Sequence, residues 1–420
     1  MAREPAAARR LWRTAGHLRP EATGVEVVRP PPDTVSNVPW VPDAPPLTAP
    51  GSITAAEYAA GVIEPAKLQF LAEFFQREGY AIVGGLFPLE LLDRIEPRLD
   101  EDAGHQVAAR ILQDRGDGGS AAQGMRHLGN GLPRQAPWVF PEVVANPCVE
   151  QLVAAMLGGA AFMLYYNGNT SLPDERGNER GWGGMHMDGG GWSLSTAEEA
   201  AEHGIEWPHP PLKLFVNFGT SSMTPDNGST EIWPGTHLLT ETAGKPINQD
   251  LIEPRRASHP PAQVIAPKGG ALFRDLRMWH RGMPNYSPFP RHMMGVGYCA
   301  ERDPNGECSH LGLGKHWHTF SASARPAFER APSTEPILVA RNVKYVEGSC
   351  DGVGNSPPSE ESGDDDGVIE SGPYAGGAKG AGSRFDYFLP EGPVGDMLQP
   401  ADDTPWWLRE LCEGRPLQRD

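Results

Sequence analysis

The sequence predicts a mainly β protein with flanking helices, its strands stacked as a sandwich or jelly roll. Three observations lead there. Short apolar strands recur along the chain, each bounded by Gly or Pro turns. Gly (50) and Pro (43) are abundant in the 420 residues, far above the roughly 12% of an average chain, which favours turns and long loops over a helical bundle. Helical apolar spacing, by contrast, is confined to a few segments beside the strands.

In chain order, residues 1–50 are Pro-rich, lack apolar periodicity and read as an extended arm. Thr54-Ala55-Ala56-Glu57 has capping-box spacing and marks where order should begin. Pro65 suits the first turn of a helix with Leu68, Leu71, Phe74 and Phe75 on one side, and Gly79 stops it. Tyr80-Ala81-Ile82-Val83 is a short strand. A second helix follows Phe87-Pro88, with Leu91, Leu92, Ile95 and Leu99 at helical spacing. Gly116 to Gly124 reads as a loop, and Met125-Arg126-His127-Leu128 as a strand returning to the core. Asn146-Pro147 opens a third helix that Gly158-Gly159 ends, and Phe162–Asn167 is the next strand.

Further strands are expected over Leu212–Phe218, Thr230–Trp233, near Val264-Ile265, over Ala271–Leu276 and over His292–Tyr298. Asp226-Asn227-Gly228-Ser229 is a turn, because Asn-Gly tolerates positive φ. Residues 240–262 carry no clear signal. Residues 346–385 are Gly, Ser and acid and read as a flexible segment. In the tail, residues 386–420, Thr404-Pro405 starts a Trp-containing helix whose apolar side should dock back on the domain. One folded domain is thus expected over residues 51–345.

Net charge is −18 and the isoelectric point about 5.2, which argues against a nucleic-acid partner. Five scattered cysteines without a CxxC pair argue against a disulfide framework or structural zinc site and fit a reducing, cytoplasmic location. An Arg-rich N-terminus leaves an organelle transit peptide open beside a basic tail, which is favoured. No run of 18 apolar residues exists, so no membrane span is expected. The oligomeric state is not readable.

The chemistry centres on Gly183-Gly184-Met185-His186-Met187-Asp188-Gly189-Gly190-Gly191-Trp192. On a strand, residues i and i+2 share a face, so His186 and Asp188 aim at one point while Met187 faces away. They are two-thirds of the two-histidine, one-carboxylate triad that holds non-haem Fe(II). Alone, an HxD triplet in a chain with 13 histidines is near chance. His280, just after a predicted strand, supplies a second imidazole, and Arg291 opens the next strand after a Pro-containing turn. That order is what an Fe(II)/2-oxoglutarate site needs: three protein ligands on one face of the iron, and a guanidinium to grip the far carboxylate of the 2-oxo acid.

These pieces resemble the phytanoyl-CoA dioxygenase family of Fe(II)/2-oxoglutarate oxygenases. They run in the family's order: Glu78-Gly79-Tyr80-Ala81-Ile82-Val83, the HxD stretch, Asp226 to Glu231 through Pro234-Gly235-Thr236-His237, Lys268-Gly269-Gly270, and Trp279-His280-Arg281-Gly282 with Asn285 and Arg291. The resemblance implies a double-stranded β-helix (jelly roll, cupin-like) core, with His186, Asp188 and His280 as iron ligands and Arg291 binding 2-oxoglutarate. It further implies hydroxylation of a small organic substrate, with 2-oxoglutarate and O2 going to succinate and CO2. Related halogenases replace the carboxylate by a small residue, so Asp188 points to hydroxylation, while desaturation or ring formation remain open. Asn217 falls where family members place a polar or indole side chain near 2-oxoglutarate. Gly282 stands where some members use a Ser hydroxyl, so another group must substitute for that contact.

His237 in its turn reads as structural, and His316-x-His318 as pocket rim or surface for want of a nearby carboxylate. Arg126, His127, Tyr166, Trp182 and Trp192 are candidates for the pocket wall or the core alike. Two rivals stand beside the oxygenase: a cupin-like metalloenzyme of isomerase type without 2-oxoglutarate, and a non-catalytic binding protein on the same fold. Arg291 discriminates the first, and succinate formation the second.

Overall fold

A computed structural model describes residues 45–116, 127–174, 184–188, 192–245, 247–305, 319–329, 343–346, 393–401 and 404–419. The N-terminal arm to residue 44, Arg126, Trp182, Gly189 to Gly191, His316, His318 and the acidic segment therefore lie outside the described residues.

The chain enters the sheet earlier than the capping box implied: β1 (Gly51–Ser52) already pairs in parallel with β2 (Tyr80–Gly84). Between them lie α1 (Ala55–Ala60) and α2 (Pro65–Glu78). The Thr54 hydroxyl accepts from Glu57 N at 3.2 Å and Glu57 Oε2 accepts from Thr54 N at 2.9 Å, a reciprocal cap of a kind contributing about 1 kcal/mol. Gly79 ends α2 at φ 79°. A Cβ there would sit 2.4 Å from His237 Nδ1, so the cap is also a close approach.

Helix α3 (Leu89–Gly116) is longer than the sequence suggested and runs through Pro97. Its first half buries Leu91, Leu92, Ile95 and Leu99 in the main core, and its second half buries Ala103, Val107 and Ile111 in another cluster. That change of partner explains why one continuous stripe was not legible. Then come β3 (His127–Gly129), α4 (Pro141–Val144), α5 (Pro147–Leu157), β4 (Ala161–Ser171), α6 (Ala197–Glu202) and β5 (Lys213–Gly219). The Asn146 carboxamide oxygen accepts from Cys148 N and Val149 N, and Gly158 closes α5 at φ 71°.

The remaining strands are β6 (Glu231–Ile232), β7 (Ala262–Gln263), β8 (Ala271–Asp275), β9 (His280–Arg281), β10 (Arg291–Ala300), β11 (Thr319–Ser321) and β12 (Lys344–Val346). Helix α7 (Ile252–Ser258) and three 3-10 turns occupy residues 236–258, most of the stretch without a sequence signal. Helix α8 (Arg325–Phe328) precedes β12, and α9 (Val394–Met397) and α10 (Trp406–Cys412) form the tail.

Seven strands make the large sheet, in the order β1-β2-β8-β5-β10-β4-β3, and β7-β6-β9 make a small one. Within these two sheets pairing is antiparallel except at β1, and β11 and β12 form a separate parallel pair. Alternation gives the large sheet two chemically distinct faces. One carries Ala81, Val83, Leu214, Val216, Phe218, Phe273, Met294 and Val296 against Leu71 and Phe75 of α2 and the buried side of α5. The other puts Tyr80, Ile82, Leu272 and Met293 against Ile232, Val264 and Met278 of the small-sheet side. Helices thus cover one face and the small sheet opposes the other, as in a double-stranded β-helix. The second face holds the site. Among the described residues no helix is long and apolar enough to cross a membrane.

Candidate metal centre

Rows of paired residues across the large sheet share a face, and three of them define the site wall. Tyr165, Gly297, Phe215 and Arg274 form one; Asn167, Gly295, Asn217 and Leu272 the next; His127, Ser171 and Arg291 a third, at the end of β10. The two glycines leave space between neighbours. A Cβ at 295 would lie 3.0 Å from Asn217 Nδ2, and one at 297 would lie 2.8 Å from both Tyr165 and Phe215.

The HxD stretch does not form a full strand. It touches β9 through one antiparallel bridge, with His186 N donating to His280 O at 3.0 Å and His280 N to His186 O at 2.9 Å. Asp188 N donates to Leu276 O at 3.2 Å. The alternation nonetheless holds: Met185 and Met187 pack toward Trp233, Trp279 and Ile252, while His186 and Asp188 turn the other way.

His186, Asp188 and His280 each present one ligand atom, all within 4.8 Å of one another. The two rings lie 4.2 Å apart between centroids. His186 Nδ1 is 2.8 Å from Gly184 O and His280 Nδ1 is 3.0 Å from Met278 O. A carbonyl only accepts, so His186 Nδ1 donates to Gly184 O and, by the shorter of its two contacts, His280 Nδ1 donates to Met278 O, with Arg274 Nη1 standing 3.3 Å away. In this tautomer both Nε2 lone pairs are left for a metal. His280 Nε2 faces Asp188 Oδ1 at 3.6 Å. Burial first, then Arg274 and His186, hold His280 well below its ordinary pKa. That contact is therefore two ligand atoms side by side rather than an ion pair. The donor set is the hard and borderline N,N,O combination that suits Fe(II).

Arg274 is the functional residue that sequence reading missed. It sits on β8 in the Tyr165–Phe215 row, buried, with its guanidinium 5.6 Å from the Phe215 ring centroid and Nη2 2.6 Å from Asp188 Oδ2. Burial pushes the Asp188 carboxyl up, but Arg274 first and then both histidines bring it below the usual range. The signal was present: an arginine inside the apolar strand Ala271-Leu272-Phe273-Arg274-Asp275 must find a partner. Arg281, the neighbour of His280, turns away and its Nη2 donates to Glu231 Oε2 at 2.9 Å, fixing β9 to β6. Arg277 pairs with Asp275 and lies 5.0 Å over the Trp192 ring, anchoring the chain where it leaves the HxD stretch.

Arg291 is buried at the start of β10. Its Nη2 donates to Gly228 O at 2.8 Å and its Nε to Asn227 O at 3.3 Å, with the Asn169 amide oxygen 3.4 Å from Nη1. No carboxylate pairs with it among the described residues, and burial lowers its pKa to about 10. The Asn-Gly turn now has a reason. Gly228 takes φ 72°, a Cβ would lie 2.6 Å from Met283 O, and the turn delivers two carbonyls to the guanidinium.

The other candidates separate. Asn217 lies on the site face, within the same sheet as Arg291. His127 stands over Gly282, where a Cβ would be 2.9 Å from its Nε2, so an imidazole fills the space a Ser side chain would enter. Tyr166 belongs to the opposite, helix-facing core, against Phe320. Trp192 packs on Trp207 and His209. His237 is structural: it is buried, with Nε2 on Gln76 O at 3.0 Å.

A jelly-roll core with two imidazoles and a carboxylate at one point defines a non-haem metal protein of the double-stranded β-helix class. The family model for phytanoyl-CoA dioxygenase (PhyH) matches residues 75–293, more than half of the chain. The chain belongs to the phytanoyl-CoA dioxygenase family of Fe(II)/2-oxoglutarate oxygenases. Among solved structures it is similar to EctD from S. alaskensis with bound Fe, at 19% identity over 66% of this chain and 84% of that one, TM-score 0.38. It is also similar to the non-heme alpha ketoglutarate dependent epimerase SnoN from nogalamycin biosynthesis (18%, 56% and 82%, TM-score 0.37). A third is AviO1 from Streptomyces viridochromogenes (18%, 60% and 99%, TM-score 0.36). At these identities and TM-scores the three likenesses add nothing to the family assignment.

Proposed function

We propose that the protein is a non-haem Fe(II)- and 2-oxoglutarate-dependent dioxygenase that hydroxylates a C–H bond of a small organic substrate. The observation that carries this is the convergence of His186, Asp188 and His280 on one point, with both Nδ1 atoms already engaged. Bound Fe(II) supplies O2 activation at the expense of 2-oxoglutarate, which is decarboxylated to succinate and CO2.

The chain's own part is positional. His186, Asp188 and His280 would hold the metal, leaving it positions for co-substrate and O2. Arg274 holds Asp188 Oδ2, which directs Oδ1 toward the metal. Arg291, desolvated and held by neutral partners, binds the far carboxylate of 2-oxoglutarate through its planar fork. Asn217 and His127 flank that co-substrate, His127 in the place that Gly282 leaves vacant. Tyr165 and Phe215 wall off water on the sheet side.

The test is 2-oxoglutarate turnover by the purified protein with Fe(II), read as succinate, across a panel of small organic substrates. A substrate that raises succinate and gains one oxygen atom supports hydroxylation. Succinate formation with a product of unchanged or reduced oxygen content assigns another outcome to the same site. No succinate under any condition removes the oxygenase reading.

A further inference from the structure

The tail that the family match leaves out is tied to the strand carrying Arg291. Helices α9 and α10 pack Val394, Leu398, Trp407 and Leu408 against Ala103, Val107 and Ile111 of α3. Beyond α10 the chain reaches Arg419, whose Nη1 and Nη2 each donate to a carboxylate oxygen of Asp100 at 2.6 Å. Asp100 is buried on α3 and also accepts from His292 Nε2 at 2.8 Å. The other ring nitrogen of His292 shares a 2.7 Å hydrogen bond with the Thr170 hydroxyl. His292 follows Arg291 on β10 and, by alternation, points to the opposite face.

The same guanidinium reaches the residues before Arg291. Arg419 Nη2 donates to Pro290 O at 3.2 Å, and its Cζ stands 5.4 Å over the Phe289 ring. Trp406 meets that ring edge-on at 5.2 Å between centroids. The tail thus meets the chain on both sides of Arg291: at the Phe289 ring and the Pro290 carbonyl before it and, by way of Asp100, at the His292 side chain after it.

A largely buried ion pair is a weak source of stability, but the two-pronged Arg419–Asp100 contact fixes the direction of both side chains. Among the described residues Arg291 is held by hydrogen bonds without an ion pair of its own. Its partners are the carbonyls of Asn227 and Gly228 and the Asn169 amide, all neutral. No fixed counter-charge among the described residues restores the guanidinium if its backbone shifts.

We propose that Arg419 is a positioning residue for co-substrate binding: the C-terminal tail clasps Phe289 to His292 and sets where the Arg291 guanidinium stands. This rests on the reading of Arg291 as the carboxylate-binding residue. The test compares full-length wild type, Arg419→Gln, Arg419→Lys and Arg291→Gln in anaerobic titrations with Fe(II), then with 2-oxoglutarate. Arg419→Gln is expected to raise the Kd for 2-oxoglutarate about tenfold and to leave that for Fe(II) within about twofold, with part of the loss recovered by Arg419→Lys. Wild-type affinity for 2-oxoglutarate in Arg419→Gln overturns the proposal. So does an equal loss of Fe(II) and 2-oxoglutarate binding, which marks a merely structural contact. Arg291→Gln keeps the two claims apart. Unchanged 2-oxoglutarate binding there removes the underlying reading, whereas weakened binding there with none in Arg419→Gln removes only the clasp. If Arg419→Gln does not fold, Phe289→Leu, which keeps the ion pair and removes both ring contacts, is read by the same criteria.

Discussion

Arg274 Nη2 stands 2.6 Å from Asp188 Oδ2, while Asp188 Oδ1 faces His280 Nε2 at 3.6 Å. The two oxygens of one carboxylate are thereby given different tasks. The large sheet holds the first through a guanidinium stacked near Phe215, and the second is left toward the histidines. Among its described residues the HxD stretch makes one bridge to β9, so this ion pair is a main tie between the carboxylate and the rigid wall.

Replacing Arg274 by Gln should therefore weaken metal binding, by about 10- to 100-fold as for other groups that orient a metal ligand. Titration of the protein with Co(II) or Fe(II) measures it. Arg274→Lys keeps the charge but not the fork and should fall between the two. Unchanged metal affinity in Arg274→Gln would remove the orienting role.

Arg291→Gln should raise the KM for 2-oxoglutarate strongly while metal binding stays near wild type. The loss corresponds to a charge-assisted bidentate contact, on the order of 2–3 kcal/mol. A cupin-like isomerase without 2-oxoglutarate would be indifferent to this substitution.

Gly228→Ala should act on the same parameter from a distance. The residue sits at φ 72° and the added Cβ would meet Met283 O at 2.6 Å, so the turn must move or strain by about 1–3 kcal/mol. Because Gly228 O accepts from Arg291, a lowered melting temperature should come with a raised KM for 2-oxoglutarate. A melting change alone would mean that the turn does not set the guanidinium.

His237 gives a pH dependence with a definite sign. Burial lowers its pKa from 6.5 to about 4 in the folded protein. The unfolded chain therefore binds the proton first, and the stability present above pH 6.5 is lost as pH falls toward 4, by a few kcal/mol. Thermal melts between pH 7 and 4 should slope downward, and His237→Gln, starting less stable, should slope less. His209, lowered likewise to about 4 by burial and Arg277, accounts for part of the slope that remains.

The parts of this molecule that announce themselves in sequence are those set by neighbours along the chain. Thr54 and Glu57, Asn146 and Pro147, and the glycines at 79, 158 and 228 mark caps and turns because their geometry is local. His186 and Asp188 share a direction for the same reason. His280 and Arg291 were legible only as an ordered set with them. Arg274 is visible as a charge inside an apolar strand, but its partner was not legible, because Asp188 lies across the site and neither spacing nor periodicity encodes a contact between a sheet and an irregular loop. The second half of α3 was obscured for a similar reason: its apolar residues face the C-terminal tail rather than the main core. Tyr166 was ambiguous until the register of β4 with β10 fixed its face.

The central claim is that His186, Asp188 and His280 hold one Fe(II) to which 2-oxoglutarate then binds. Anaerobic addition of Fe(II) and 2-oxoglutarate to the purified protein, followed by visible absorption, tests it most directly. The account predicts the weak charge-transfer band of the iron–2-oxo acid chelate in the wild type and its loss in His280→Ala. A wild-type protein without the band, or a His280→Ala protein that shows it undiminished, would contradict the account.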